Sequence, residues 1–544
     1  MQSWNEYYPR PQLRRDSFIS LNGEWLLNGS RITVPFPPES RAAEYQGELT
    51  ELMTYERAFE LPKGFYQGRQ RVMLHFGAVD QKCHVYVNNQ LAAQHEGGYL
   101  PFSADITDLL CLGDNELRVE AEDTLSHDYP YGKQRKDRGG MWYTPVSGIW
   151  QSVWLEAVPE KYIEKIRITP DLKGICLHVT TAEEKCTVEI DGVQTVIHAN
   201  EDAYIAVENP HLWSPEDPHL YDLRITAGED TVNSYFALRT VTIEDRAGVQ
   251  RVCLNGQPIF MNGLLDQGYF VEGIYLPKLP EGYAQDIANM QELGFNLLRK
   301  HIKVEPEIFY YECDRRGMLV MQDMVNSGDY SFIRDTALPT AGLKWWPDLR
   351  PGDKARKQFF EKHCRDTLSH LHNHPCVIAY TIFNEGWGQY DSDRIYKMLK
   401  KLDPTRFYDS TSGWFHKKHS DVDSLHIYFR NARLKPKKRP MLLSECGGYT
   451  RAIEGHMFCG EGKYGYGKTD SEQALTDKIK EMYDIMVLPA IEKGLCGVIY
   501  TQVSDVEDEI NGLYTFDRAV CKVNKAQMRA LTDRICEKLH GNGK

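Results

Sequence analysis

Apolar positions follow two different rhythms along the chain. Up to about residue 157 they come in short alternating segments, among them Arg71-Val72-Met73-Leu74-His75-Phe76 and Cys83-His84-Val85-Tyr86-Val87. Turn formers separate them at Asn88-Asn89, Gly97-Gly98 and Gly113-Asp114-Asn115. Period-two alternation with turns at this spacing predicts half-buried antiparallel strands in a jelly-roll sandwich over residues 1–157. Residues 158–243 repeat the rhythm on a smaller scale in Ile166–Thr169, Thr187–Ile190 and Tyr221–Ile225, with a Pro-broken loop at Trp213-Ser214-Pro215-Glu216-Asp217-Pro218. An immunoglobulin-like β-sandwich is expected there.

From 244 to 544 the rhythm changes to short, wholly apolar runs alternating with helical patterns, which implies a parallel sheet buried on both faces. The runs are Pro258–Gly263, Asn296–Arg299, Met318–Gln322, Cys376–Phe383, Arg406–Asp409, Leu425–Tyr428, Met441–Ser444 and Gly497–Gln502. Predicted helices cover Glu281–Leu293 (stopped by Gly294), Pro306–Arg316 (stopped by Gly317), Gly352–Leu371, a segment capped by Asp470 with Gln473 three residues on and running to about Lys493, and Lys525–Leu539. The segments joining the fifth and sixth runs show no helical pattern. Eight strands in about 300 residues fit a C-terminal (β/α)8 TIM barrel, whose working residues sit at the C-terminal strand ends. The expected whole is a multidomain chain of jelly roll, immunoglobulin-like sandwich and barrel.

Bulk properties narrow the function. A net charge of -13 disfavours nucleic acid and anionic membranes as partners. No stretch of 18 apolar residues appears, so no ordinary transmembrane helix is expected. The first ten residues lack a basic segment followed by an apolar one, and the 13 Cys are scattered without CxxC pairs or His partners. A cytoplasmic protein without disulfide framework or zinc site is the expectation. No cofactor and no metal are called for.

Two strand ends carry the chemistry. The fourth run stops at Asn384-Glu385-Gly386-Trp387, and the seventh at Glu445-Cys446-Gly447-Gly448. Carboxylates are seldom buried without partners, so two Glu at the same end of one buried sheet are poorly explained as packing. A pair of carboxyl groups suits glycosidic bond cleavage, one protonating the leaving oxygen and the other attacking or activating water. Asn384 is placed to hydrogen-bond a sugar 2-hydroxyl. Tyr428 and His426, at the end of the sixth strand, are candidate partners of Glu445, a phenol hydrogen bond keeping a carboxylate ionised. Asp266 and Gln267, Asp323 and Trp414 follow the first, third and fifth strands, where barrel ligand contacts arise. The aromatic and Gly-rich stretch Gly139–Trp150 suits either sugar stacking or a sandwich core.

With these motifs the chain resembles glycoside hydrolase family 2, the group of β-galactosidases, β-glucuronidases and β-mannosidases. The resemblance spans nearly all of it: Ser20-Leu21-Asn22-Gly23-Glu24-Trp25, Ser147-Gly148-Ile149-Trp150, Asn384-Glu385-Gly386, Ser444-Glu445-Cys446-Gly447-Gly448 and Asn511-Gly512-Leu513-Tyr514-Thr515-Phe516-Asp517-Arg518. It implies a retaining exo-β-glycosidase, with Glu385 as acid/base and Glu445 as nucleophile, acting on a small-molecule or oligosaccharide glycoside. β-Galactosidase-like chemistry is the nominal expectation, with β-glucuronidase or β-mannosidase as the alternatives inside the family. A non-catalytic carbohydrate-binding protein is the alternative outside it.

Four departures from the family bear on the sugar. Gly140 stands where β-galactosidases carry an acidic residue before Met-Trp. Arg299-Lys300-His301-Ile302-Lys303-Val304 replaces Arg-x-Ser-His-Tyr-Pro. Asn511 is followed by Gly512-Leu513 rather than by x-Lys, and the eighth strand ends in Gln502 where a Trp floor is common. Arg299, Lys300 and His301 are therefore taken as candidate sugar contacts, with Lys300 and Lys303 facing either an acidic sugar or an ion-pair partner. The run Asp505, Glu507, Asp508 and Glu509 reads as a solvated loop or an unselective cation site, and Lys435–Arg439 as a wet loop. Sugar identity and assembly, a homo-oligomer included, are left open by the sequence.

Overall fold

The computed structural model describes residues 2–66, 70–343, 353–415, 417–428, 430–458 and 464–540. Its first unit is the expected sandwich. A six-stranded antiparallel sheet (Ser30–Val34, Gly23–Leu27, Leu52–Glu60, Asp114–Glu122, Lys82–Val87 and Gln90–Glu96 in spatial order) faces a four-stranded one built on Val153–Pro159 and Gln70–Phe76. Alternate positions such as Leu117, Val119 and Ala121 turn inward and are buried. The second unit packs a three-stranded sheet on a four-stranded one around its own core of Ile168, Leu177, Val188 and Ile225. Its Pro-broken loop is a dock: Trp213 is buried and its Nε1 donates to the Asp314 carbonyl at 2.8 Å.

The third unit is an eight-stranded parallel barrel: β1 Met261–Asp266, β2 Leu297–Lys300, β3 Leu319–Asp323, β4 Val377–Thr381, β5 Phe407–Asp409, β6 Asp423–Ile427, β7 Met441–Gly447 and β8 Leu495–Thr501. Strands pair in order from β1 through β5 on one side and back through β8, β7 and β6 on the other. Between β5 and β6 no strand ladder forms among the described residues. The seam is held instead by Asp421 N–H on the Tyr408 carbonyl and by Ser424 Oγ on Asp409, each at 2.9 Å. The barrel interior and the first sandwich share one continuous hydrophobic core, running from Trp25 and Tyr55 through Tyr275 to Leu264 and Val498.

Helices α1 Glu281–Glu292, α2 Glu307–Arg316 and α3 Lys354–Leu371 fall where expected, the predicted start of α3 at Gly352 lying outside the described residues. Helix α4, Ser392–Leu402, was not expected from the sequence, although its buried Ser392, Ile395 and Leu399 recur at helical spacing. Helix α5, Glu472–Met482, is capped one residue later than expected: Ser471 has the extended backbone and its Oγ accepts from Ala474 N–H. The predicted single helix passes through a π-turn at Tyr483–Val487 just before Pro489, which has no N–H to continue the ladder. Helix α6 is Lys525–His540. The first strand also differs, running Met261–Asp266 rather than Pro258–Gly263; Gln257-Pro258 instead pairs with Cys253-Leu254 in a small antiparallel sheet.

Candidate active site

Both glutamates reach the same mouth of the barrel. Glu385 lies just past β4 in left-handed backbone (φ +51°), a strained conformation for a side chain-bearing residue, and its N–H is bonded to the Ser412 carbonyl at 2.9 Å. Gly386 continues the turn at φ +74°, and a Cβ there would come within 2.2 Å of the Phe415 ring. Glu445 sits inside β7, which extends through irregular pairing to Gly447 rather than ending at Ser444. Gly447 plays the same part here, since a Cβ would meet the Tyr500 ring at 2.2 Å. One oxygen of Glu385, one of Glu445 and a ring nitrogen of His426 all lie within 4.8 Å of one another.

Arg299 organises the floor. It projects from β2 into the barrel, fully buried, and its guanidinium donates in four directions. The acceptors are Asp323 Oδ1 at 2.9 Å, the Ser444 carbonyl at 3.0 Å, Glu445 Oε1 at 3.0 Å and Asn384 Oδ1 at 2.9 Å. Arginine only donates, so the Asn384 amide must turn its oxygen to Arg299, leaving the NH2 for other partners. Asp323 also accepts from His301 Nδ1 at 2.7 Å. The second oxygen of Glu445 accepts from Tyr428 OH and stands 3.5 Å from His426 Nδ1. Burial works to raise the Glu445 carboxyl, but the charges of His426, Arg299 and His301 and the Tyr428 hydrogen bond overcome it and hold it at about 2.

His426 reaches Glu445 as expected, at 3.5 Å, but its nearer partner is Glu385, which the sequence reading did not name: Nδ1 is 2.7 Å from Glu385 Oε1, and Nε2 is 3.0 Å from Ser412 Oγ. Trp414 lies beside it, ring centroids 5.6 Å apart. Tyr466 stacks on Tyr428 at 4.2 Å. Ser412 and Tyr466 were not singled out from the sequence; for Tyr466 the alternation Tyr464-Gly465-Tyr466-Gly467 was the signal.

Two predicted contacts point elsewhere. Side chains alternate along a strand, so with Arg299 turned inward Lys300 faces out of the barrel. There its Nζ donates to Asp266 Oδ2 at 2.7 Å and Glu305 Oε1 at 2.8 Å, 4.2 Å over the Phe309 ring. Asp266 is thereby an ion-pair partner, away from the carboxyl pair, and Lys303 joins the cluster through Glu305 at 2.9 Å. Gln267 is buried with its Oε1 unbonded among the described residues.

The loop after β8 is not solvated. Asp505, Glu507 and Glu509 are all buried. Asp505 pairs with Lys522 at 2.6 Å, Glu507 accepts from Thr144 N–H at 2.9 Å, and Glu509 accepts from Tyr143 OH. Asn511 links Glu509 to Gln502 through two 2.8 Å bonds. These contacts dock the first sandwich on the barrel mouth. Of its aromatics, Tyr143 and Trp150 are core, while Trp142 packs edge-on against Trp387, two residues past Glu385, at 5.0 Å and against Tyr330 at 5.1 Å. Lys133 extends from the same sandwich, its Nζ 5.8 Å from the Trp142 ring centre. Its charge is felt by both His301 and Glu509. The run Lys435–Lys438 is exposed throughout, and Arg439 pairs with Asp423.

Glu385, His426 and Glu445 are the grouping of three close metal-type donors among the described residues. Their donor atoms are engaged with one another, Tyr428 and Arg299, so the set is already satisfied as a hydrogen-bond network. No helix among the described residues is long and apolar enough to cross a membrane.

Comparison with known proteins gives three family models in register along the chain. They are glycosyl hydrolases family 2, sugar binding domain (residues 12–159), glycosyl hydrolases family 2 (161–239) and glycosyl hydrolases family 2, TIM barrel domain (250–454). A β-galactosidase of Aeromonas hydrophila is 27% identical over 386 residues, covering 65% of this chain and 35% of that protein. A β-glucuronidase of Streptococcus agalactiae is 24% identical over 393 residues, 65% of this chain and 62% of that one. The matches thus span about a third to a half of the first curated relatives, at 35%, 47% and 39% of their lengths. Among solved structures, a β-D-glucuronidase of Dictyoglomus thermophilum aligns with a TM-score of 0.75 at 19% identity, over 97% of this chain and 98% of that one. A β-galacturonidase of Eisenbergiella tayi bound to galacturonate aligns at 0.66 and 20% identity, over 97% and 98%. These structural likenesses establish the fold.

Proposed function

The chain belongs to glycoside hydrolase family 2, and we propose that it is a retaining exo-β-glycosidase in which Glu445 attacks the anomeric carbon and Glu385 serves as acid and then base. The observation that carries this reading is the separation of the carboxyl groups. Retaining pairs lie about 5–5.5 Å apart and inverting pairs about 6.5–9.5 Å, to admit a water. An oxygen of each glutamate within 4.8 Å belongs with the first class. The ionisation pattern agrees: Glu445, gripped by Arg299 and Tyr428, is held as carboxylate, the state a nucleophile needs.

In the first step the Glu445 carboxylate oxygen bonds to the anomeric carbon while the glycosidic C–O bond breaks and its oxygen takes the Glu385 proton. Asn384, with its oxygen fixed on Arg299, offers its NH2 to the 2-hydroxyl, a contact that strengthens as charge develops on the ring. In the second step Glu385 takes a proton from water, whose oxygen displaces Glu445 and releases the sugar with its original configuration.

For the glycone, a neutral galactose-type sugar is the first reading. Gln267 Oε1 and Gln502 Oε1, buried at the ends of adjacent strands without hydrogen-bond partners among the described residues, are acceptors suited to sugar hydroxyls. Lys133 favours a second reading, a β-linked uronic acid, because among the described residues no carboxylate lies within 4.0 Å of it, Glu509 acting on it only from farther off. A panel of aryl β-galactoside, β-glucoside, β-mannoside, β-glucuronide, β-galacturonide and α-L-arabinopyranoside decides between them. Proton NMR of the first-formed sugar should show the substrate's own anomer, and Glu445→Ala should lose turnover by several orders of magnitude. An inverted product, or an unimpaired Glu445→Ala enzyme, would overturn the assignment. Lys133→Ala should abolish activity on uronides selectively if the second reading holds and leave the neutral panel unchanged.

A further inference from the structure

Tyr428 donates to Glu445, yet little of its own strand holds it. β6 ends at Ile427, whose ladder partner is Cys446 on β7. On its other edge β6 forms no ladder with β5 among the described residues, and its register with β7 shifts between Leu425 and His426. Tyr428 therefore stands past the end of a strand paired along one edge only, with its OH on Glu445 Oε2 and 3.3 Å from Thr501 Oγ1. A tyrosine ring swings about its side-chain torsions, so its hydroxyl keeps one place only if something outside the strand holds the ring.

That support comes from segment 464–467. The Tyr466 ring lies flat against the Tyr428 ring, centroids 4.2 Å apart and planes 24° from parallel. Its backbone is sewn to the loop after β7: Tyr466 N–H donates to the Gly448 carbonyl and Thr450 N–H to the Gly467 carbonyl, each at 2.8 Å. Gly448 closely follows Glu445 in the chain, and a Cβ there would meet a Tyr466 ring carbon at 2.6 Å, so the missing side chain leaves the room that the ring takes. Tyr464 ties the other end to the loop after β8. It donates its N–H to the Asp508 carbonyl and accepts from Ile510 N–H, each at 3.1 Å. A Cβ on Gly140 of the first sandwich would touch its ring at 3.5 Å, and its OH is 3.3 Å from Tyr466 OH.

We propose that Tyr466 is a positioning residue: by stacking on Tyr428 it keeps the Tyr428 hydroxyl on Glu445, and so maintains the hydrogen bond that orients the attacking carboxylate. The inference rests on the glycosidase reading for what that bond is used for. Tyr466 moves no proton and forms no bond to the sugar in this role. Its anchor at Gly448 belongs to the same loop that carries Glu445 out of β7, so the carboxylate and the group that braces its donor are held in one frame. This separates a brace from a wall of the sugar pocket. A wall loses its contribution whether or not Tyr428 keeps its hydroxyl, whereas a brace can lose only what that hydroxyl supplies.

The test is a double-mutant cycle on the aryl glycoside the panel selects, with parent, Tyr466→Leu, Tyr428→Phe and the double variant compared by steady-state hydrolysis. Tyr466→Leu should lower kcat about tenfold, the scale of one aromatic pair, and Tyr466→Phe, which keeps the ring, should recover most of that loss. In the Tyr428→Phe background the same Tyr466→Leu change should cost less than about twofold, because the hydroxyl that the stack positions is gone. Equal losses in both backgrounds would make Tyr466 a wall or a packing residue and overturn the proposal, as would a Tyr466→Phe enzyme as slow as Tyr466→Leu. A second measurement needs neither turnover nor a Tyr466 variant. In protein labelled with 13C-tyrosine, the ring signals that vanish in Tyr428→Phe should be shifted upfield and show NOEs to a second tyrosine ring. Unshifted signals without that contact would refute the stack even in an active enzyme. If no glycoside of the panel is hydrolysed, the glycosidase reading falls by itself, and the NMR contact alone decides whether the brace exists.

Discussion

Replacing Arg299 by lysine keeps the charge and removes the fork, which makes it a direct test of how the floor of the site is built. The guanidinium serves four acceptors contributed by two strands, β3 and β7, and the turn after β4: Asp323, Asn384, the Ser444 carbonyl and Glu445. An ammonium has three donors at a single point and cannot span acceptors set around a planar group. If lysine retains two of the four bonds, the loss is two charge-assisted hydrogen bonds at about 1.5–3 kcal/mol each, or about 3–6 kcal/mol in all. Part falls on folding through Asp323 and Ser444, and part on the reaction through Glu445 and Asn384. A loss of about 3 kcal/mol from the transition state alone corresponds to roughly a hundredfold in kcat/KM.

The diagnostic readout is the penalty for removing the sugar 2-hydroxyl. In the parent enzyme the Asn384 amide is pinned with its NH2 toward the cleft, so a 2-deoxy substrate should react far more slowly. In Arg299→Lys the amide is free to turn, and the ratio between 2-hydroxy and 2-deoxy substrates should shrink along with overall activity. Urea unfolding run in parallel reports the folding share. An Arg299→Lys enzyme within roughly threefold of the parent, with an unchanged 2-deoxy penalty, would mean that neither Glu445 nor Asn384 depends on the fork, and the account of the floor would fail.

Tyr428→Phe removes the donor on Glu445 Oε2 and should lower kcat by about 10- to 150-fold with less change in KM, measured by steady-state hydrolysis of an aryl glycoside. Glu156 lies buried against Arg10 at 2.9 Å and Arg15 at 3.0 Å. Burial alone would raise its carboxyl, but Arg10, His75, Arg15 and the Tyr8 hydrogen bond bring it down from 4.5 to about 2. A depressed folded value means the unfolded chain binds the proton more readily, so this stabilisation is full above pH 4.5 and drains away as pH falls toward 2. Its size is about 3 kcal/mol, and urea melts between pH 6 and 3 should be flatter in Glu156→Gln, which should also be less stable at neutral pH. Ser471→Ala should cost about 1 kcal/mol in thermal or urea unfolding by removing the α5 cap without touching activity.

Most of the barrel was legible because its strands are short apolar runs with abrupt polar ends, and the two glutamates stood out because carboxylates at such ends lack a packing explanation. What failed was direction. Arg299 and Lys300 are consecutive in one strand, so only one can point inward; treating both as sugar contacts ignored the alternation that separates them. Placing β1 three residues early likewise put Asp266 in a loop, when it is the last residue of the strand and held by Lys300. The acidic run after β8 misled for another reason. Charged loops are ordinarily wet, but this one is covered by Tyr143 and Thr144 from a sequence-distant sandwich, and no local pattern announces a contact across that span. His426 was matched with Glu445 alone and its closer contact to Glu385 was missed, since register between β6, β7 and the turn after β4 is a tertiary property.

The shared apolar interior of the first sandwich and the barrel has a consequence for how this molecule diversifies. The two glutamates proposed to do the chemistry and the residues that wall the mouth lie on separate stretches of chain, which meet where Trp142 rests on Trp387 and where Tyr143 and Thr144 bond the loop after β8. Because the interior is continuous, the sandwich cannot swing away as a tethered appendage would, and its loops act as fixed cheeks of the cleft. On the proposed reading, substitutions around Lys133 and Gly140 are therefore a route by which such a scaffold would acquire a taste for a new sugar while Glu385 and Glu445 stay untouched.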